Sequence, residues 1–355
     1  MRTVFILVPS LHPTGPVKGA FALANALAPF RSVVLVFLKQ GPGVDSRLDD
    51  RVEVVSLAQT SGGWRGRVDA YRRLLRNAGG REQIGSVSMC FSADWVNRFC
   101  RDLAVTCASV RGNLPQNYRL DYGWPGTFLA LAHRLALRAF DHVVAMTDAM
   151  AGQIRSIAAV HSVVIGNFVD EAALECHRQS QPRIAGPLRF VFVGSLSRRK
   201  QPELLIAAMA TLREHDAQLE VLGDGPLREA LESLLLSKGL QNCVRLHGQV
   251  ANPYPIVAGA DVFVLPSRSE GMSRAALEAL HLGVPCVLRD VDGNAELFTV
   301  AESGYFFSGD DDLAAAMLKA AALARRRPIR TSLLPPAFRQ DTAAGQYLAL
   351  LEQST

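Results

Sequence analysis

The sequence predicts an α/β protein with two tandem Rossmann-like, doubly wound domains facing across a cleft. Three observations predict it. Short, near-continuous apolar runs alternate with helix-period segments along the whole chain, the pattern of parallel strands covered on both faces. The alternation breaks once, in the polar, Pro- and Gly-containing stretch "CHRQSQPRIAGP" at residues 176–187, and then starts again. At 355 residues, about half of them apolar, the chain is long enough for two cores and too apolar for disorder.

In the front half, strands are expected at residues 3–8, 32–38, 52–57, 86–91, 104–110, 142–147 and 162–165. Helices fall between most of them, as in "KGAFALANALA" and "GTFLALAHRLALRAF". After the linker, "LRFVFVG", "AQLEVLG", "VRLHG" and "ADVFVL" read as strands. "QPELLIAAMATL" and "PLREALESLLLSKG" read as helices, the second with Pro226 in its first turn and Gly239 as its stop. "PPAFRQDTAAGQYLALLEQ" is a last helix after a proline break. The expected domains are residues 1–175 and 188–336, with 176–187 as linker.

Composition removes several classes. No apolar run reaches the roughly 18 residues that span a bilayer, and "TVFILV" has neither the length nor the cleavage site of a secretory leader. The expectation is a cytoplasmic protein. Six cysteines form no C-x-x-C pair and read as buried free thiols; the eight histidines lack zinc-ligand spacing, so no metal site is expected. Charge is uneven: residues 1–170 carry 19 Lys+Arg against 12 Asp+Glu, residues 171–355 carry 19 against 21. A basic front half suits an anionic partner. Arginine outnumbers lysine 33 to 5, so part of that charge reflects composition. No nucleic-acid motif accompanies it, and nucleic acid is not an expected partner.

Ligands of such sheets bind beyond the carboxyl ends of the strands, so the loops there carry the candidate chemistry. The first is "PSLHPTGPVKGAF", where Gly15 and Gly19 flank Lys18 at a helix start. It suits phosphate contact, though it is neither G-x-G-x-x-G nor a Walker loop. The second is "VGSLSRRKQPELL": Arg198, Arg199 and Lys200 sit between a strand end and a helix, where clustered cations suit a diphosphate. The third is "VFVLPSRSEGMSRAALEALHLGVPCVL". Glu270 lies at the mouth of a turn with Gly271, Met272 and Ser273, whose helix start offers free N–H groups. Glu278 lies one to two turns into that helix. Carboxylates can accept from sugar hydroxyls and grip a ribose diol. The competing reading is ordinary helix chemistry: one acid at the positive end of the macrodipole and one on the surface.

The stretches "FVFVGSLSRRKQPELLIAAM", "LEVLGDGPLREALE", "VRLHGQV", "ADVFVLPSRSEGMSRAALEALHLGVPCVL" and "DGNAEL" occur in order and together resemble family 4 glycosyltransferases of the GT-B fold over residues 189–298. The front half resembles that family's acceptor domain more loosely, through "SLHPTGPVKGAFALANALA" and "HVVAMTDAM". The resemblance implies a retaining enzyme that moves a hexose-type sugar from a nucleotide-diphosphate donor without a metal in the transfer step and without another cofactor. The acceptor it implies is a hydroxyl of a glycan or lipid-linked glycan, as in cell-surface polysaccharide or lipopolysaccharide synthesis. It implies that Glu270 faces the donor sugar and Glu278 the ribose, and that Arg199 and Lys200 hold the diphosphate. It places Gly248 and Glu296 near the donor, and it implies that residues 337–353 cross back onto the first domain.

Three departures stand out. Ser195 occupies a position where the family often has arginine. Gly15-Pro16 stands where it often has two glycines, and Pro16 has no N–H to offer. The front-domain loop that often carries a histidine reads "VRGNLPQNY" here, leaving Arg111, Asn113 and Asn117 as its polar candidates. "DVD" at 290–292 and "DDD" at 310–312 are decoys for a metal triplet; the second reads as helix N-terminal acids. His133 reads as packing or surface. "WRGRVDAYRRLLRNAGGR" is a basic amphipathic helix with Trp64, Val68, Tyr71 and Leu75 on one face, arginines free to meet an anionic membrane on its inner leaflet. The competing functions are a GT-B sugar-nucleotide epimerase and a non-catalytic nucleotide-sugar-binding protein.

Overall fold

The computed structural model describes residues 3–12, 14–41, 48–112, 114, 118–119, 123–179, 185–291, 293–327 and 329–353. Asn113, Asn117 and Asp292 lie outside the described residues, as does part of the expected linker. The strands are β1 (Thr3–Ser10), β2 (Ser32–Lys39), β3 (Val52–Ser56), β4 (Ile84–Met89), β5 (Val105–Ser109), β6 (His142–Ala145), β7 (Val163–Val164), β8 (Leu188–Val193), β9 (Ala217–Leu222), β10 (Val244–Gly248), β11 (Val262–Leu265), β12 (Cys286–Arg289) and β13 (Gly304–Phe307). The helices are α1 (Gly15–Leu27), α2 (Gly63–Ala78), α3 (Phe91–Asn97), α4 (Pro125–Leu137), α5 (Asp148–Ala158), α6 (Glu171–Glu175), α7 (Pro202–Thr211), α8 (Arg228–Lys238), α9 (Tyr254–Gly259), α10 (Arg274–His281), α11 (Leu313–Arg325) and α12 (Gln340–Glu352). They divide into two compact units, residues 1–170 with 337–355, and residues 171–336.

The first unit is built on a parallel sheet in the order β3-β2-β1-β4-β5-β6-β7. Strand side chains alternate between two cores, as a period of two dictates. Val4, Ile6 and Val8 of β1 join α1 and α12 on one side. Phe5 and Leu7 join Val68, Tyr71 and Leu75 of α2 and Val96 of α3 on the other. The last helix is part of this first core. Tyr347 is fully buried, and its hydroxyl lies 2.7 Å from Ser109 Oγ. Gln340 Nε2 donates to the carbonyl of Ala22 at 2.8 Å.

The second unit is a parallel sheet in the order β10-β9-β8-β11-β12-β13. Its topological switch point falls between β8 and β11, so the loops after these strands lie where a doubly wound sheet binds ligand. Helix α10 starts at Ser273, whose Oγ accepts from the N–H of Ala276, an N-cap bond. Helix α8 ends at Gly239, which takes the left-handed conformation at φ +61°. Close approaches at the loops after this sheet's strands require glycine. A Cβ on Gly223, at φ +136°, would sit 1.9 Å from the Gly194 carbonyl oxygen; one on Gly293 would sit 2.0 Å from that of Gly271.

Several expectations are corrected. Helix α6, residues 171–175, clusters with the second unit, so the division falls at 170 and not at 175. Pro226 lies in the turn before α8, two residues outside the helix. Trp64 is exposed while Val68, Tyr71 and Leu75 are buried: the three pack into the core of the sheet, whereas Trp64 meets the rings of Trp95 and Phe99. Cys176 is exposed; Cys100, Cys107 and Cys286 are buried, and all six cysteines are free. Strands β12 and β13 are not among the expected strands, since each has only four residues and neither carries a periodic signal. No helix among the described residues is long and apolar enough to cross a membrane.

Candidate active site

The second unit brings three of its loops together at the carboxyl ends of β8 and β11. After β8 the chain passes Gly194 and turns through residues 195–201 into α7. Gln201, the residue before the helix, adopts a left-handed φ of +49°. After β11 it passes Pro266 and turns through residues 267–273 into α10. The loop after β12 lies against this turn, with Gly293 pressed on the carbonyls of Glu270 and Gly271.

The turn and the first loop meet in an ion pair. Lys200 Nζ donates to Glu270 Oε1 at 2.5 Å. Arg199 Nη1 lies 3.6 Å from the same oxygen and donates to the Ser269 carbonyl at 3.1 Å. Glu270 is only 8% exposed. Acids are almost never this buried without a partner, so the site is organised around the pair. Burial alone would raise the Glu270 carboxyl, but the charges of Lys200 and Arg199 and the hydrogen bond from Lys200 outweigh it and hold it below its usual value. Burial lowers the Lys200 ammonium, and Arg199 adds to this against the pull of Glu270.

Glu278, five residues into α10, is 7% exposed, which removes its reading as a surface acid. The Tyr254 hydroxyl lies 3.5 Å from its Oε1. Gly271, Met272 and Ser273 are buried beside Glu270, at the N-terminus of α10. Gly248 ends β10 at φ +72°, and its carbonyl accepts from the Gly223 N–H at 2.8 Å. Glu296 is half-buried in the turn Ala295–Leu297 that follows Gly293. Arg198 is part of the same β8–α7 loop. The structure thus gathers Arg199, Lys200, Glu270, Gly271, Met272 and Ser273 at one switch point. Among the described residues, no group of three or more His, Cys, Asp or Glu side chains is placed to hold a metal ion.

Sequence reasoning missed Tyr254 and the glycines Gly223 and Gly293. The glycines were visible as residues, but only the packing of one loop on another shows what a Cβ would strike. Tyr254 comes from a different βα unit, and nothing in its own neighbourhood marks it.

The remaining candidates belong to the first unit and are described there. Gly15 opens α1 exposed, and a Cβ on it would meet nothing within 4 Å. Its expected close approach to backbone is therefore not required by the protein itself. Lys18 is half-buried in the first turn of α1. Arg111, after β5, donates to Asn167 Oδ1 at 3.3 Å and to Met89 Sδ at 3.4 Å. Nearby, Cys90 joins β4 to α3 at φ +77°, in strained backbone. His133 is not a surface residue: its Nε2 lies 2.8 Å from the buried carboxylate of Asp94, and Tyr118 Oη lies 3.0 Å from its Nδ1.

Comparison with known proteins agrees with this geometry. Residues 187–322 match the family model described as "Glycosyl transferases group 1". Over 168 residues the chain is 30% identical to alpha-D-kanosaminyltransferase of Streptomyces kanamyceticus, covering 45% of this chain and 44% of that protein. Over 205 residues it is 28% identical to the lipopolysaccharide core biosynthesis glycosyltransferase LpsD of Rhizobium meliloti, covering 57% and 56%. The chain thus spans about half the length of these curated relatives. The structure of Anabaena HepE in complex with UDP-glucose superimposes with a TM-score of 0.74 at 17% identity, covering 99% of both chains. Residues 187–322 thus match the glycosyl transferases group 1 model, in a chain with the GT-B fold.

Proposed function

We propose that the protein is a retaining glycosyltransferase that moves a hexose-type sugar from a nucleoside diphosphate to a hydroxyl of a glycan or lipid-linked acceptor. The observation that carries it is the cluster of buried Glu270 with half-buried Lys200 and Arg199 at the switch point of the second sheet, with buried Glu278 on the helix that follows. Cations at that place suit a diphosphate, and carboxylates are acceptors that suit sugar hydroxyls.

In this reading Glu278 accepts the two ribose hydroxyls and Glu270 a hydroxyl of the donor hexose. The bond between the anomeric carbon and the β-phosphate oxygen breaks, and its electron pair stays on the phosphate. Arg199, Lys200 and the N-terminal N–H groups of α10 stabilise that charge, so the reading assigns no metal and no other cofactor to the step. The acceptor oxygen attacks the same face of the oxocarbenium-like sugar, and its proton passes to the leaving phosphate. Lys18, Gly15 and Arg111 are assigned to the acceptor and its anionic groups. The related lipopolysaccharide enzyme supports a cell-surface glycan as acceptor class. The exposed arginines of α2 support peripheral contact with an anionic membrane at its cytoplasmic face.

Thermal unfolding with a panel of UDP-, GDP-, ADP- and CMP-sugars, wild type beside Glu278→Ala, tests the donor site. One nucleotide raises the wild-type melting temperature and does so far less in the variant. No shift with any of them at millimolar concentration overturns the assignment. Release of free nucleoside diphosphate only when an acceptor is added separates transfer from epimerisation.

A further inference from the structure

The first unit carries an apolar surface outside the residues assigned above to sugar transfer. Helix α4 buries Ala130, His133, Ala136 and Leu137. Its other side presents Trp124, Phe128, Leu131 and Leu135, which are 74%, 62%, 46% and 52% exposed. Spacings of four, three and four residues put these on one stripe about 16 Å long. The Trp124 and Phe128 rings meet edge to face at 5.6 Å, so the stripe is continuous at its start. A helix apolar on both sides is unusual on a surface exposed only to water.

The stripe has neighbours of the same kind. Helix α2 packs on α3, and α3 packs on α4, so the three form one layer. At the start of α2, Trp64 stacks on Phe99 at 6.0 Å and meets Trp95 at 6.3 Å. The Arg98 guanidinium lies 4.0 Å from the Trp95 ring centre and 4.6 Å from that of Phe99. Arg65, Arg73 and Arg76 of α2 are exposed, as are Arg119 and Arg138 beside α4. No acidic residue occurs between positions 123 and 140.

We infer that the helical layer α2–α3–α4 is a membrane-docking face for an anionic bilayer, with α4 as the helix that inserts. The inference rests on the membrane contact proposed above for the arginines of α2 and adds to it an apolar anchor on α4. Apolar stripes with tryptophan at one end enter the headgroup–acyl boundary, while arginines stay at the phosphates. Charge selects the lipid over a second copy of the chain. Pairing two such faces would set these arginines against the same arginines, and like charges oppose association.

The full chain is tested by co-sedimentation with vesicles of phosphatidylcholine alone and of phosphatidylcholine with about a quarter phosphatidylglycerol. The variants are Phe128→Ser with Leu131→Ser on α4, and Arg73→Ser with Arg76→Ser on α2. The calorimetric transition of the first unit, together with the far-UV circular dichroism of the chain, reports folding in each. Wild type pellets with the anionic vesicles only. The α4 variant binds roughly tenfold less or weaker still, because two apolar side chains no longer leave water. The α2 variant loses the part of binding that salt removes. An α4 variant that binds like wild type overturns the assignment of α4 and leaves the α2 contact standing. Wild type that binds neither vesicle overturns both. A concentration-dependent dimer in sedimentation velocity that the α4 variant abolishes gives the stripe to a second copy and overturns the inference.

Discussion

Lys200 and Glu270 are each tolerable inside the second unit only because the other is there. Removing one partner of a buried ion pair leaves an uncompensated charge, so Lys200→Ala is expected to cost about 3–5 kcal/mol, read from the denaturant midpoint. Lys200→Met combined with Glu270→Gln recovers much of that stability and no nucleotide-sugar binding, which separates the structural contribution of the pair from its chemical one. The pair also makes a pH prediction. The Glu270 carboxyl is held below its usual 4.5 in the fold. Such a group stabilises the fold above its unfolded value and loses that contribution as pH falls through the folded value. Wild type should therefore lose thermal stability as pH is lowered below about 4.5, and Glu270→Gln should lose less over the same interval. Equal slopes in the two proteins would remove Glu270 as the group responsible. The cause of this burial was half legible. The two acids and the two cations were readable as candidates from their loops. Their contact, across 70 residues of sequence, was not, since β8 and β11 become neighbours only in the folded sheet.

Elements hold these residues through caps and close approaches. Ser273 ends the turn and caps α10, so Ser273→Ala is expected to cost about 1 kcal/mol and to loosen the turn that carries Glu270. The glycine contacts are stricter. Gly223→Ala forces a Cβ toward the Gly194 carbonyl at a left-handed φ, which pushes the loops after β8 and β9 apart. Its expected cost is about 1–3 kcal/mol from the backbone alone, with a further loss of nucleotide-induced stabilisation; a variant that keeps full stabilisation would free this loop from the site. In the first unit α2 shows where a helix-period reading stops. Val68, Tyr71 and Leu75 pack on the sheet as their spacing requires, while Trp64 continues the same spacing into solvent. Periodicity fixes a face of a helix, but the length of the surface beneath it decides how far that face stays covered.

The whole molecule is closed by a helix that the first unit recruits from the far end of the chain. Tyr347 fills the first core and lies against Ser109, some 238 positions away. Tyr347→Ala is expected to destabilise that unit by about 3–5 kcal/mol while leaving nucleotide binding by the second unit in place. Calorimetry reads this as a lowered transition for one unit beside an unchanged one that still responds to nucleotide. Loss of both transitions together would show that the units melt as one.

The sequence by itself determined the fold class, the alternation of strands and helices and the restart of that alternation after the linker. Those depend on apolar runs, helix periods and turn residues, all local quantities. It also determined which loops carry charge at strand ends, and so named Arg199, Lys200, Glu270 and Glu278. Only the tertiary structure decided that Lys200 meets Glu270, that Tyr254 reaches Glu278, that residues 171–175 join the second unit, and that one apolar face of α4 stays uncovered. The reason is physical: strand order in a doubly wound sheet is non-consecutive, so contacts between distant segments are set by packing, and no window along the chain contains both partners.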